Sequence, residues 1–247
     1  MEFSAEIIAI VVIGFLLGGI LKGAIGVGAP LFAVPVLAAY VDVRFAVIIF
    51  AIPNLIPNIW QSWAYRKTTL PTGFYLRFVL SGMAGAAVGT WGLANLHIEW
   101  LQLTLAGAVI AYITLRLSHP HWTLSYPRAL VFAPFAGLIA GGMQTAAGLS
   151  APVSITFMNA MQLKRETFLP TASLFFAGLG LVQLPMLVAY GLLDGPKAML
   201  GTAALIPQFL GMPIGAWLGR RLSAKVFDRL ILGLLGVLAI RLIFSAF

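Results

Sequence analysis

The stretch that decides the fold is Gly18-Gly19-Ile20-Leu21-Lys22-Gly23-Ala24-Ile25-Gly26-Val27-Gly28-Ala29-Pro30. It has an echo, Gly141-Gly142-Met143-Gln144-Thr145-Ala146-Ala147-Gly148-Leu149-Ser150-Ala151-Pro152. Each opens on Gly-Gly and closes on Ala-Pro. Each lies between two apolar runs, 7–21 and 29–41 in the first half, 129–143 and 151–163 in the second. At 1.5 Å per residue, helices over these runs reach only about 20 Å, while the hydrocarbon core of a bilayer is about 30 Å thick. The two stretches therefore predict paired short or broken, re-entrant-like helices, one pair in each half, meeting around a small anion.

The rest of the chain makes the membrane setting firm. Of 247 residues, 61% are hydrophobic and 9% charged, against about 25% charged in a soluble domain. The mean hydropathy is +1.00. Further apolar runs cover 45–64, 73–96, 100–117, 167–193, 198–219 and 226–247. They are too long and continuous for the alternating strands of an outer-membrane barrel. The reading is an all-α integral membrane protein with ten hydrophobic segments, five per half. The absence of cysteine excludes disulfides and thiolate metal sites. The net charge of +8 comes from residues at the ends of apolar runs, not from a basic arm, so no nucleic-acid partner is expected. Glu2 and Glu6 replace a basic n-region, so the first run is expected to stay in the protein.

The halves match beyond their opening stretches. Gln61 corresponds to Gln183, Gly85-x3-Gly89-x-Trp91 to Gly211-x3-Gly215-x-Trp217, and Arg116-Leu117 to Arg241-Leu242. Collinear matches of this kind predict an internal duplication: a first repeat over 1–117, a cytoplasmic linker over 118–128 and a second repeat over 129–247. The Gly-x3-Gly pairs predict close helix packing. With alternating segments, Lys22, Arg66, Lys67, Arg116, Arg128, Lys164, Arg165, Arg220, Arg221 and Lys225 fall on one side. Arg44, Lys197 and Arg241 fall on the other. The richer side should be cytoplasmic, with both termini outside. Five segments per half make the repeats inverted, an arrangement of secondary transporters with the substrate at the midplane.

The charged residues restrict the chemistry. All seven acids, Glu2, Glu6, Asp42, Glu99, Glu166, Asp194 and Asp228, fall at segment ends or in loops. So do His97, His119 and His121, and the last two lack further ligands for a metal. No carboxylate lies mid-span to bind a cation, relay protons or catalyse hydrolysis, and no hydrolase motif is present. Neither enzymatic activity nor a cofactor is expected. Lys22 stands apart, with no other charge between Glu6 and Asp42. If run 7–21 is a half-helix, Lys22 is deep in the protein; if it crosses fully, Lys22 reaches the cytoplasmic surface.

The surroundings of Lys22 favour an anion. Ala29-Pro30 and Ala151-Pro152 read as helix starts, whose free N–H groups attract negative charge. Gly26, Gly28 and Gly148 allow the backbone to bend. Gln144, Thr145 and Ser150 are neutral donors, with Ser150 a candidate cap. Asn54, Asn58 and Gln61 recur on one face of a proline-interrupted segment, and Gln183 is the repeat counterpart of Gln61. These amides read equally as a path wall or as interhelical bonds. Trp60, Trp63 and Tyr65 read as an interfacial belt.

The stretch Gly-x3-Lys-Gly-Ala-Ile-Gly-Val-Gly-Ala-Pro, its echo and the total length resemble the sulfite exporter TauE/SafE family, also called the 4-toluene sulfonate uptake permease family. The resemblance implies a two-repeat cytoplasmic-membrane protein that moves sulfite, sulfonates or related organosulfur anions, often outward. The second stretch departs from the first. Gln144 and Thr145 replace the Lys-Gly pair and Ser150 replaces Gly28, so the basic contact is expected from the first half. The expected function is alternating-access transport of such an anion, coupled, if at all, through Lys22 or the substrate's own proton. A carrier of another anion or metabolite and a non-transporting assembly subunit are the alternatives. Besides the lipid bilayer, a homo-oligomer is an open partner.

Overall fold

A computed structural model describes residues 3–118 and 122–221, with 232–233, 235–238 and 240. The described residues form helices and connecting turns, with no strand among them. The first half holds α1 (Ala5–Ile25), α2 (Ala29–Tyr40), α3 (Val43–Ala64), a 3-10 turn (Arg66–Thr68), α4 (Thr72–Asn95) and α5 (Ile98–Ser118). The second holds α6 (Tyr126–Ala147), α7 (Ser154–Ala160), α8 (Arg165–Ala189), α9 (Gly195–Ala203) and α10 (Leu205–Arg221). Among the described residues, six helical stretches are long and apolar enough to cross a membrane: α1, α3, α5, α6, α8 and the α9–α10 pair. The protein is an all-α integral membrane protein. His119, His121, Arg241, and most of run 226–247 lie outside the described residues.

The acids at the helix starts do the work of caps. Asp42 accepts the Phe45 N–H at 2.7 Å and Asp194 accepts the Lys197 N–H at 2.9 Å. That second bond holds the Asp194 carboxyl below its ordinary pKa. Glu6, Glu99 and Glu166 lie in the first turns of α1, α5 and α8, where the helix dipole favours negative charge.

Three expectations are corrected. Runs 7–21 and 129–143 are not half-helices: α1 has 21 residues and α6 has 22, enough for about 30 Å. The apolar run stopped at Lys22, but the helix continues because Lys22 finds a partner inside the protein. On the other side of each break the helix is short, 12 residues in α2 and seven in α7. The second helix start is displaced: residues 151–153 form a turn and α7 begins at Ser154, not at Ala151-Pro152. Lastly, run 198–219 is two helices that part at Ala204. Pro207 has no N–H for the Ala203 carbonyl, which weakens the helix there.

The breaks themselves are where the glycines predict. Gly26 (φ 84°) ends α1, Gly28 (φ 104°) precedes α2 and Gly148 (φ 75°) ends α6. Gly26 faces Leu169 of α8, and Gly148 faces Val34 of α2. Each break is thus covered by a helix of the opposite half.

Two glycine seams hold the bundle together. α1 runs along α10, and α6 runs along α4. A Cβ on Gly19 or Gly23 would strike the carbonyls of Gln208 or Met212, and one on Gly211 or Gly215 would strike those of Leu16 or Ile20. In the second seam, Gly85 and Gly89 face the backbone of Leu138 and Gly142, and Gly141 faces Gly82. Without side chains between them the backbones approach to contact, which is how small residues stabilise helix pairs in lipid. Between the seams α3 packs on α8. α8 also packs on α4, where Phe78 and Phe175 stack with centroids 4.3 Å apart.

Prolines leave a second signature. Each removes the N–H that would bond the carbonyl four residues back. Three such carbonyls are taken by side chains from distant segments. Gln208 Nε2 donates to Pro53, freed by Pro57, at 3.0 Å. Arg77 donates to Leu130, freed by Pro134, at 3.2 Å. Thr68 donates to Glu166, freed by Pro170, at 2.6 Å. The proline positions of α3, α6 and α8 are therefore also points of attachment to a neighbouring segment.

Candidate functional site

Lys22 lies in the last turn of α1 and is 3% exposed. It neither sits on a half-helix nor reaches the surface: α1 is full length, and α3 and α10 cover its end. Its Nζ donates to Asn58 Oδ1 at 2.7 Å. Asn58 Nδ2 in turn donates to the Asn54 carbonyl at 2.7 Å and to Asn54 Oδ1 at 3.1 Å. Asn54 Nδ2 donates to the Phe176 carbonyl of α8 at 3.4 Å. Gln61, one turn beyond Asn58, accepts from Ser173 of α8 at 3.2 Å. The three α3 amides are all buried on one face, and they tie α1, α3 and α8 together.

A cavity of about 630 Å³ opens beside this chain of bonds, between α1, α3, α8 and α10. Lys22, Gly26 and Gln61 line it, with Arg165 from the start of α8 and Trp60 and Tyr65 from the end of α3. Ile56, Leu169, Phe209, Met212, Pro213 and Ala216 make the remaining wall largely apolar. Among the described residues, two cations and no carboxylate line it. A lysine ammonium has three donors, and Asn58 takes one. Lys22 has no carboxylate partner among the described residues. A buried cation without a counter-charge is costly, and an anion entering this cavity supplies one.

The second break is built differently. Gln144 Nε2 donates to the Gly148 carbonyl at 3.0 Å, while its Oε1 accepts from the Ser150 N–H at 3.2 Å and the Ser150 hydroxyl at 2.8 Å. Ser150 also meets Ser154 Oγ at 2.9 Å, and its carbonyl accepts the N–H groups of Val153 and Ser154. Thr145 donates to the carbonyls of Ala86 and Gly141, and Gln183 donates to the Thr145 carbonyl at 3.4 Å. These polar groups satisfy one another. The structure brings Lys22, Gly26 and Gln61 to the cavity wall. Gly28, Ala29, Asn54, Asn58, Gln144, Thr145, Gly148, Ser150 and Gln183 are buried but do not line it.

Arg165, Trp60 and Tyr65 escaped the sequence reading as cavity residues. In the sequence Arg165 marks sidedness, and Trp60 and Tyr65 mark an interfacial belt. The available signal was their proximity in the chain to Gln61 and to the break at 148–152.

The profile of the sulfite exporter TauE/SafE family matches residues 10–242. The chain belongs to this family. No curated protein and no solved structure matches it. TauE/SafE membership covers nearly the whole chain, both breaks and every cavity residue included. It makes the protein a member of a membrane transporter family.

Proposed function

We propose that this TauE/SafE protein carries a small sulfur-containing anion across the cytoplasmic membrane by alternating access, with Lys22 as the charge that receives it. The observation that carries this reading is the buried Lys22 ammonium on the wall of a cavity that no carboxylate lines among the described residues. Asn58 and Asn54 hold Lys22 in place, Gln61 and the Gly26 backbone offer neutral contacts, and Arg165 attracts the anion at the opening. The apolar remainder of the wall favours an organosulfonate over bare sulfite, because an apolar body has surface to bury there.

The mechanism rests on two inverted repeats, 1–117 and 129–247, joined by a linker over 118–128. The seams support this division: α1 of one repeat packs on α10 of the other, and α6 packs on α4, each first segment against the other repeat's fourth. The cavity opens at the end that holds Arg66, Arg165, Arg220 and Arg221, the cytoplasmic end by the positive-inside rule. Both termini then lie outside.

Binding of toluenesulfonate and of sulfite to purified protein tests the reading. Lys22→Gln and Lys22→Ala should weaken sulfonate binding about 10- to 100-fold, the loss of one charge-assisted contact. Wild-type affinity in both variants removes Lys22 from the site. No thermal shift with any member of an anion panel favours an assembly subunit instead.

A further inference from the structure

Among the described residues, one buried acceptor is left without a donor. Gln208 of α10 is fully buried, its Nε2 donates to the Pro53 carbonyl of α3 at 3.0 Å, and its Oε1 has no partner. A buried oxygen in that state has given up its bonds to water for nothing. Spare donors lie close by. The Lys22 ammonium has three and spends one on Asn58. The other two have no partner among the described residues.

Both neighbouring helices place the two groups at one level. On α3, the Gln208 amide hangs on the Pro53 carbonyl and the Asn58 amide on the Asn54 carbonyl at 2.7 Å. Pro53 and Asn54 are successive residues, with Cα atoms about 3.8 Å apart. The amide that holds Lys22 and the amide with the idle oxygen are therefore anchored side by side. On α1, a Cβ on Gly19 would strike the Gln208 carbonyl and one on Gly23 that of Met212. The two helices thus advance in step, and Gln208 stands level with Gly19. Lys22 lies one turn later, but helical side chains lean back toward the N-terminus. Its ammonium returns toward the level of Gly19, where Gln208 crosses to α3.

We propose that Gln208 is a positioning residue of the Lys22 site: its Oε1 accepts from the Lys22 ammonium once an anion draws that ammonium off Asn58. This rests on Lys22 as the charge that receives the anion. The loaded state then gives Oε1 a donor that the empty state lacks, so part of the affinity comes from a residue that never touches the anion. The exchange also moves Lys22 from an acceptor on α3 to one on α10, from the first half of the chain to the second.

Melting temperatures of the full chain in one detergent at pH 8, without any anion, test whether the two groups meet. Gln208→Glu keeps the shape and puts a carboxylate where Oε1 stands. Unpaired and buried, that carboxylate is costly; facing Lys22, it gains a counter-charge. The fall in melting temperature should therefore be smaller, by about 4 °C or more, with Lys22 present than in a Lys22→Met background. Equal falls in the two backgrounds overturn the proposal. Titration with toluenesulfonate tests the role. Gln208→Met, which removes both polar atoms, should weaken binding about five-fold, the worth of one hydrogen bond. Gln208→Glu should abolish binding, because Lys22 is then already paired. Wild-type affinity in Gln208→Met, beside lost binding in Lys22→Gln, overturns this inference and leaves the Lys22 reading standing. Wild-type affinity in Lys22→Gln overturns both.

Discussion

Gln208 offers a sharp test of how the helices are joined. It is fully buried in α10, its Nε2 donates to the Pro53 carbonyl of α3, and its Oε1 has no partner among the described residues. Replacing it with Met keeps the length and removes both polar atoms. Two effects then oppose each other. The Pro53 carbonyl loses its donor, which costs about 1–3 kcal/mol, and the unpartnered Oε1 disappears, a relief of the same order. What remains is the bond itself, about 0.6–1.7 kcal/mol inside a membrane protein. Gln208→Met should therefore destabilise by about 1 kcal/mol, or about 2–4 °C in melting temperature.

The reason Pro53 needs Gln208 is Pro57. Pro57→Ala returns an N–H that can bond the Pro53 carbonyl within α3. In that background Gln208→Met should be neutral or slightly stabilising, because only the unpartnered oxygen is lost. Four proteins, wild type, both single variants and the double, unfolded in one detergent, give the coupling directly. An equal cost of Gln208→Met in both backgrounds refutes the reading that α10 completes the proline-interrupted α3.

Three further substitutions can be read in the same unfolding assay. Gly141→Ala should destabilise by about 1–3 kcal/mol, because its Cβ would strike the Gly82 carbonyl. Gly142→Ala should be neutral or stabilising by up to about 1 kcal/mol, since its Cβ would stand 3.6 Å from the Gly85 carbonyl and alanine favours the helix; equal effects would refute the seam. Gln144→Leu should destabilise by about 2 kcal/mol, three lost hydrogen bonds at the second break. A change below about 0.5 kcal/mol, the range of an ordinary surface substitution, would show that the backbone holds that break without the side chain.

Much of this architecture is legible in the sequence, and the failures have a common cause. Apolar runs locate the helices because lipid demands continuous hydrophobicity. They misplace helix ends wherever a polar residue finds a partner inside, as at Lys22. The glycine breaks at 26, 28 and 148 are legible because only glycine adopts those backbone angles readily. Lys22 is conspicuous by isolation, yet its partner Asn58 is 36 residues away and belongs to another helix. Gln208 gives no local signal at all, since its role exists only because Pro57 lies across the interface. The cavity was hidden for the same reason. Its wall comes from four helices, and Arg165 and Tyr65 look like boundary residues until α3 and α8 are packed together.

The difference between the two breaks bears on how such a protein could move an anion. Their backbones are alike, with a left-handed glycine and a short second helix after each. Their polar groups are used in opposite ways. Gln144, Ser150 and Ser154 close the second break on itself, leaving its amide groups occupied. Lys22 keeps donors in excess of its single bond to Asn58 and faces a cavity. In the proposed mechanism the second break is therefore the rigid element and the first the responsive one. An anion at Lys22 would compete for the ammonium with Asn58, which reaches through Asn54 to the Phe176 carbonyl of α8. Occupancy of the cavity is thereby felt at the contact between the two halves, along hydrogen bonds and without a titrating carboxylate in between.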